Sequence, residues 1–108
     1  MSYEFFNKIK IYLQMEKLEL VQIQESLKEI SGWELIDNSI RKTFKTKGFP
    51  QTMGLVTAIG ALCQQHDHHP DFLTMKYSEV EVSFSTHSAG GITKKDIDIA
   101  KDINNLNF

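Results

Sequence analysis

The strictest alternation in the chain runs from Tyr77 to Thr86. Val80, Val82, Phe84 and Thr86 interleave with Glu79, Glu81, Ser83 and Ser85. Successive side chains of a strand point to opposite faces, so this pattern predicts a strand with one apolar and one polar side. Such strands belong to antiparallel sheets covered on one face. Phe72 to Lys76 predicts a short strand just before it. Two more, Trp33–Ile36 and Ile40–Thr46, flank Asp37-Asn38-Ser39. Asp and Asn accept turn geometry and bond their own backbone, so these two strands read as a hairpin.

Three segments carry helical spacing. Over 16–31, Leu20, Ile23, Leu27 and Ile30 fall on one face, and Gly32 supplies a stop. Over 50–65, the predicted stripe is Phe49, Met53, Val56, Gly60 and Cys63, with Pro50 in the first turn. Pro70 biases His69 toward extended geometry, so this helix ends before His69. The last helix opens at Thr93, where Asp96 completes a capping box and Ile92 with Ile97 forms a staple. Ile99, Ile103 and Leu106 extend its apolar face. Residues 1–15 fit both periods: Phe5, Ile9 and Leu13 step as in a helix, and Ile9, Ile11 and Leu13 alternate as in a strand.

The resulting order is α-β-β-α-β-β-α. It predicts an α+β fold, a four-stranded antiparallel sheet with helices packed on one face. Residues 1–108 form one domain, with 1–15 as an ambiguous N-terminal extension. The polar face of the Tyr77–Thr86 strand is left for solvent or another subunit.

Composition narrows the function. A chain of 108 residues encloses no deep pocket unaided, so a site is expected in a surface cleft or at a subunit boundary. The net charge is −2, without the basic face that phosphate binding demands. The nearest candidate, Arg41, Lys42, Lys45 and Lys47, reads as a solvated strand face, so no nucleic acid partner is expected. The single cysteine, Cys63, excludes an internal disulfide and a cysteine zinc site, and its place on an apolar stripe marks it as a small buried hydrophobe. No segment has the apolar length of a membrane span, and the first residues lack the order of a signal peptide, so the expected location is the cytoplasm.

All four histidines lie between His66 and His87. Imidazole exchanges protons near neutral pH, which suits acid–base work. The bland alternative is a pair of exposed cations at a helix C-terminus, favoured by the dipole. A metal site is disfavoured, because adjacent His68 and His69 diverge if extended and no cysteine assists. No nucleophile elbow is present, and Gly90-Gly91 is a weak anion motif that reads as a turn.

The run His68-His69-Pro70-Asp71-Phe72, then Tyr77, Ser85-Thr86-His87, Gly91-Ile92-Thr93 and Asp96 resembles the pterin-4a-carbinolamine dehydratases. Tyr77 follows Pro70 by seven positions, His87 follows Tyr77 by ten and Asp96 follows His87 by nine. Gly32-Trp33 after the first helix also fits, and the resemblance spans about residues 18–106. It implies dehydration of a 4a-hydroxytetrahydropterin to the quinonoid dihydropterin, as in recycling of tetrahydrobiopterin, with no metal or organic cofactor. It implies a homodimer or homotetramer with a pterin as the small-molecule partner and no membrane. His68, His69 and His87 become the catalytic histidines, with His69 or His87 nearest the hydroxyl and His68 positioning the ring. Asp67, Ser85, Thr86 and Ser88 become polar pterin contacts. Asp96 orients a histidine or caps its helix, and Trp33 and Phe72 frame the ligand or pack the core.

This sequence departs from the family pattern at two places. Gln64 stands where an ionisable residue, usually Glu, precedes the histidine pair by four, and an amide cannot hold a proton. Phe72 stands for a more usual Trp. His66 is additional and receives no role. Two other implied functions stay open. One is a weakly catalytic protein-binding or dimerisation module, since animal relatives also stabilise a homeodomain factor's dimer; the other is a molybdopterin-related role.

Overall fold

A computed structural model of the chain describes residues 2–108, apart from the side chains of residues 11, 13 and 14. The elements are α1 (Tyr3–Gln14), α2 (Leu20–Leu27), β1 (Glu34–Ile36), β2 (Ser39–Lys45), α3 (Phe49–His66), β3 (Phe72–Lys76), β4 (Glu79–Phe84) and α4 (Lys94–Asn104), with a short 3-10 turn at His87–Ala89. The strands form one antiparallel sheet in the order β1-β2-β4-β3. The α+β architecture and its element order are those the periodicity predicts. The ambiguous first segment is helical; the side chains of Ile11 and Leu13, which entered that ambiguity, lie outside the described residues. No helix among the described residues is long and apolar enough to cross a membrane.

Register sorts the two sheet faces. Ile40 pairs with Phe84 and Phe44 with Val80, and these four are buried together with Val82. Ile23 from α2, Leu55 and Ile59 from α3, and Ile97, Ile99 and Ile103 from α4 close over them. Each fully buried side chain of this size contributes about 1.5–3 kcal/mol. The opposite face carries Thr43, Lys45, Thr74, Lys76, Glu79 and Glu81 in register across three strands.

Three local expectations need correction. Helix α2 runs Leu20–Leu27 rather than over 16–31, and at its start the Leu18 N–H bonds the Ile92 carbonyl at 2.8 Å, which keeps the preceding residues out of the helix. Glu19 and Gln22 then form a capping box, and Leu20 faces solvent while Ile23 and Ile30 face the core. On α3 the buried stripe is Thr52, Leu55, Ile59 and Cys63, whereas Phe49 and Met53 are exposed. Thr52 disguises that stripe: it is fully buried, with its hydroxyl 3.0 Å from the Gly48 carbonyl and 2.9 Å from that of Tyr77. Burial also pushes the Cys63 thiol up, which leaves it a poor thiolate.

Lys42 is the third correction. It shares the helix-covered side with Ile40 and Phe44, and burial lowers its ammonium from the ordinary range. Its Nζ donates to the Ser31 carbonyl and to Asn104 Oδ1, both at 2.8 Å. Trp33 Nε1 donates to the same Asn104 oxygen at 3.0 Å. This knot ties the end of α4 to the hairpin. Gly32, with φ 84°, passes so close to Lys42 that a Cβ there would lie 2.7 Å from its Cε.

Candidate active site

Helix α3 ends in a reversal that spreads the histidine run. Asp67 adopts left-handed φ 50° and ψ 47°, and its N–H bonds the Gln64 carbonyl at 3.2 Å. The His68 N–H reaches back to the Cys63 carbonyl at 3.0 Å. These two bonds close a Schellman motif and turn the chain out of the helix. His66 therefore stays on the last helical turn, while His68 and His69 lead toward β3.

The second wall comes from the end of β4. Thr86 N–H bonds the Gly91 carbonyl at 2.8 Å, closing the loop that carries His87 and Ser88. Gly90, with φ 74°, makes the required left-handed bend. The α3 end, the β4 end and this loop enclose a cleft of about 680 Å³, within the usual range for small-molecule sites. All four histidines line it, with Asp67, Ser85, Thr86 and Ser88 between them.

Three of the four rings have a carboxylate at Nε2. His68 Nε2 lies 2.5 Å from Asp96 Oδ1, and His66 Nε2 lies 2.6 Å from Asp102 Oδ2. Asp71 Oδ1 stands 3.2 Å from His87 Nε2. An ionised carboxylate only accepts hydrogen bonds, so Nε2 of His66 and His68 carries the proton, and in a neutral ring Nδ1 keeps the lone pair. Arg41 Nε is the single buried, unpartnered side-chain nitrogen or oxygen among the described residues. Nδ1 of His68 has no hydrogen-bond partner among the described residues, and His68 lines the cleft. His69 is exposed and has no such carboxylate among the described residues.

Asp96 is fully buried beneath this surface. Its Oδ2 accepts from the Thr86 hydroxyl at 2.8 Å and from the Thr93 N–H at 2.9 Å. Thr86 spends its proton there, so the Thr93 hydroxyl is the donor in the 2.8 Å contact between the two threonines. Asp96 is thus at once the capping-box acid of α4 and the anchor of His68. The His68 ring also stacks on Phe84, centroids 5.9 Å apart. Asp71 organises the other side: Ser85 donates to its Oδ1 at 2.6 Å and Ser83 to its Oδ2 at 3.1 Å.

The structure brings His68, His69, His87, Asp67, Ser85, Thr86 and Ser88 into the cleft, with Asp96 behind it. It does not bring Trp33 or Phe72 there. Trp33 is buried against Phe44 and Phe84, and Phe72 lies on the polar sheet face under the Arg41 guanidinium, 4.9 Å away. Gln64 is exposed on α3 and does not line the cleft. The residues that sequence reasoning left out are Asp71 and Asp102 as histidine partners, His66 itself, and Met15 and Lys95 on the rim. Their only local signal is the density of histidine, since each partner arrives from another element.

Comparison with known proteins settles the family. The pterin 4 alpha carbinolamine dehydratase profile matches residues 16–106, from the start of the α2 connection almost to the end of the chain. The chain belongs to that family. A Sulfolobus acidocaldarius protein provisionally named pterin-4-alpha-carbinolamine dehydratase is 42% identical over 90 residues, 83% of this chain and 98% of its own length. An Aquifex aeolicus protein of the same provisional name is 39% identical over 92 residues, 85% of this chain and 92% of its own. Among solved structures, a transcriptional coactivator/pterin dehydratase from Brucella melitensis superposes with a TM-score of 0.78 at 31% identity, over 82% of this chain and 96% of that one. A pterin dehydratase-like protein described as a RuBisCO assembly factor in the alpha-carboxysome shares the fold, with a TM-score of 0.59 at 17% identity over 70% of this chain and 89% of that one. The dehydratase family match thus takes in every histidine of the cleft and all three carboxylates, and it leaves α1 outside.

Proposed function

We propose that the cleft dehydrates a 4a-hydroxytetrahydropterin to the quinonoid dihydropterin, as in recycling of a tetrahydrobiopterin-type cofactor. The observation that carries this reading is the convergence of four imidazoles in one cleft, three with a carboxylate at Nε2. Dehydration breaks the C4a–O bond and the N5–H bond, forms a C4a=N5 double bond and releases water. It needs one proton delivered to the hydroxyl and one removed from N5, both near neutral pH.

His87 is the base in this scheme. Asp71 beside its Nε2 favours the tautomer protonated there, leaving the Nδ1 lone pair to take the N5 proton. His69, exposed on the facing side, donates to the departing hydroxyl as an imidazolium. The two rings finish with exchanged protonation states, which proton transfer through solvent resets. His68, fixed by Asp96 and Phe84, positions the ring system, and Asp67, Ser85 and Ser88 supply polar contacts.

The test is the decay of 4a-hydroxytetrahydropterin generated in situ. Wild-type protein should accelerate it, and His69→Ala or His87→Ala should each remove about 10²–10⁴-fold of that acceleration. No acceleration by wild type would sink the assignment.

A partner-binding reading is kept alive by the Brucella melitensis structure, whose description joins coactivator and dehydratase. Stoichiometric capture of one partner, unaffected by histidine substitution, would favour it. Self-association as a dimer or tetramer also belongs to the proposal: β1 and β3 are both sheet edges with unpaired backbone groups. Light scattering should then return a mass at least twice that of one chain.

A further inference from the structure

Helix α1 lies outside the family match, which begins at residue 16. In the Sulfolobus acidocaldarius relative, 98% of the length is taken up by a 90-residue alignment, which leaves that protein no room for such a helix. Helix α1 is therefore an addition to the family domain, and its position is informative. The end of α1 and the connection after it stand over the 3-10 turn that carries His87. Between them lies a second hollow of about 590 Å³, lined by Lys8, Tyr12, Met15, Lys17, Ser88 and Ala89, with Glu16 also at its edge. Met15 and Ser88 also line the histidine cleft, so the two hollows adjoin across these residues.

The connection between α1 and the cleft is anchored. The Leu18 N–H bonds the Ile92 carbonyl at 2.8 Å. The Lys17 stem lies directly over Gly91, where a Cβ would come within 2.9 Å of its Cε. Met15 and Lys17 are thus held next to the loop that presents His87, whose ends Thr86 and Gly91 are joined by a bridge.

The lining has a definite chemistry. Tyr12, Met15 and Ala89 offer an apolar body, and Lys8 and Lys17 offer two ammonium groups against the single carboxylate of Glu16. A flat bicyclic heterocycle bound among the histidines with its ring substituent toward Ser88 would reach the second hollow with that substituent. We infer that α1 and the 87–89 turn form a subsite for that substituent, selecting pterins with an extended, oxygen-bearing chain over those with a methyl group. Tyr12 covers the carbons of the chain, and Lys8 and Lys17 bond its oxygens. This inference rests on the dehydratase reading of the cleft and adds to it the residues outside the family match that would read the ring substituent.

The experiment is a fluorescence titration with two probes, 7,8-dihydrobiopterin and 6-methyl-7,8-dihydropterin, run beside the dehydration assay. Wild type should bind the chain-bearing probe about tenfold more tightly, a discrimination typical of one added polar contact and its carbons. The double variant Lys8→Ala, Tyr12→Ala should lose that preference and bind the methyl probe as wild type does. Both residues are exposed, so the substitutions leave the core intact. Equal affinity of wild type for the two probes, or a preference that survives in the double variant, would overturn the subsite. If wild type accelerates dehydration but shows no preference, the subsite alone falls. If it neither binds a probe nor accelerates dehydration, the dehydratase reading falls and the subsite with it.

Discussion

Asp96→Ala is expected to destabilise the fold by about 3–5 kcal/mol, the cost of removing one partner from a buried charged hydrogen-bond network. Three donors converge on this carboxylate: His68 Nε2–H, the Thr86 hydroxyl and the Thr93 N–H. Alanine leaves all three facing a void and also removes the capping box of α4. Asp96→Asn keeps the volume but turns its NH₂ toward at least one donor, so it should cost about 1–3 kcal/mol. Both variants should also lose the proposed dehydration activity in the fraction that remains folded, because His68 no longer has a fixed tautomer or orientation. Urea denaturation followed by circular dichroism reads the first effect. An Asp96→Ala midpoint equal to that of wild type would contradict the network described above.

Trp33→Ala carries the second large effect. Trp33 is 4% exposed, packs on Phe44 and Phe84, and donates to the Asn104 oxygen that also accepts from Lys42. Truncating a buried Trp costs about 3–5 kcal/mol, a large share of what a domain of this size commands. Trp33→Phe should recover most of the packing and lose only the bond to Asn104. Folded Trp33→Phe should bind 7,8-dihydrobiopterin with unchanged affinity, since the ring is in the core and not in the cleft. A tenfold loss of affinity in well-folded Trp33→Phe would place this residue in the site after all.

Signals that are local in sequence were legible before the structure. The Thr93–Asp96 capping box needs only four residues, and the alternation of β4 needs only the strand itself. The face of α3 was not legible, because Phe49, Met53, Leu55, Val56, Ile59 and Leu62 surround that helix with apolar groups and give it no single direction. Only the sheet decides that Leu55 and Ile59 turn inward. Lys42 misled for a related reason: a lysine on the covered face satisfies its ammonium with the Ser31 carbonyl and Asn104, which the periodicity of β2 cannot register.

The site divides in the same way. The histidines themselves stand out within a short stretch, and the family resemblance named three of them. Their carboxylates were hidden, since His68 and Asp96 are separated by 28 positions and His66 and Asp102 by 36. Asp96 showed only its capping role, because that half of its bonding is local. His66 had no motif to belong to, and its place beside the others follows from the last turn of α3 packing on α4.

The left-handed residue at the end of α3 has a consequence for how this protein balances durability against its task. Glycine reaches such backbone angles freely, whereas an L side chain loses roughly 1–2 kcal/mol there, with Asp among the more tolerant residues. Aspartate instead keeps a carboxylate between two histidines and a stiffer unfolded-state backbone than glycine would give. The bend is therefore a point where two small backbone effects oppose each other, and the residue chosen there also decides whether a carboxylate stands at the cleft between His66 and His68.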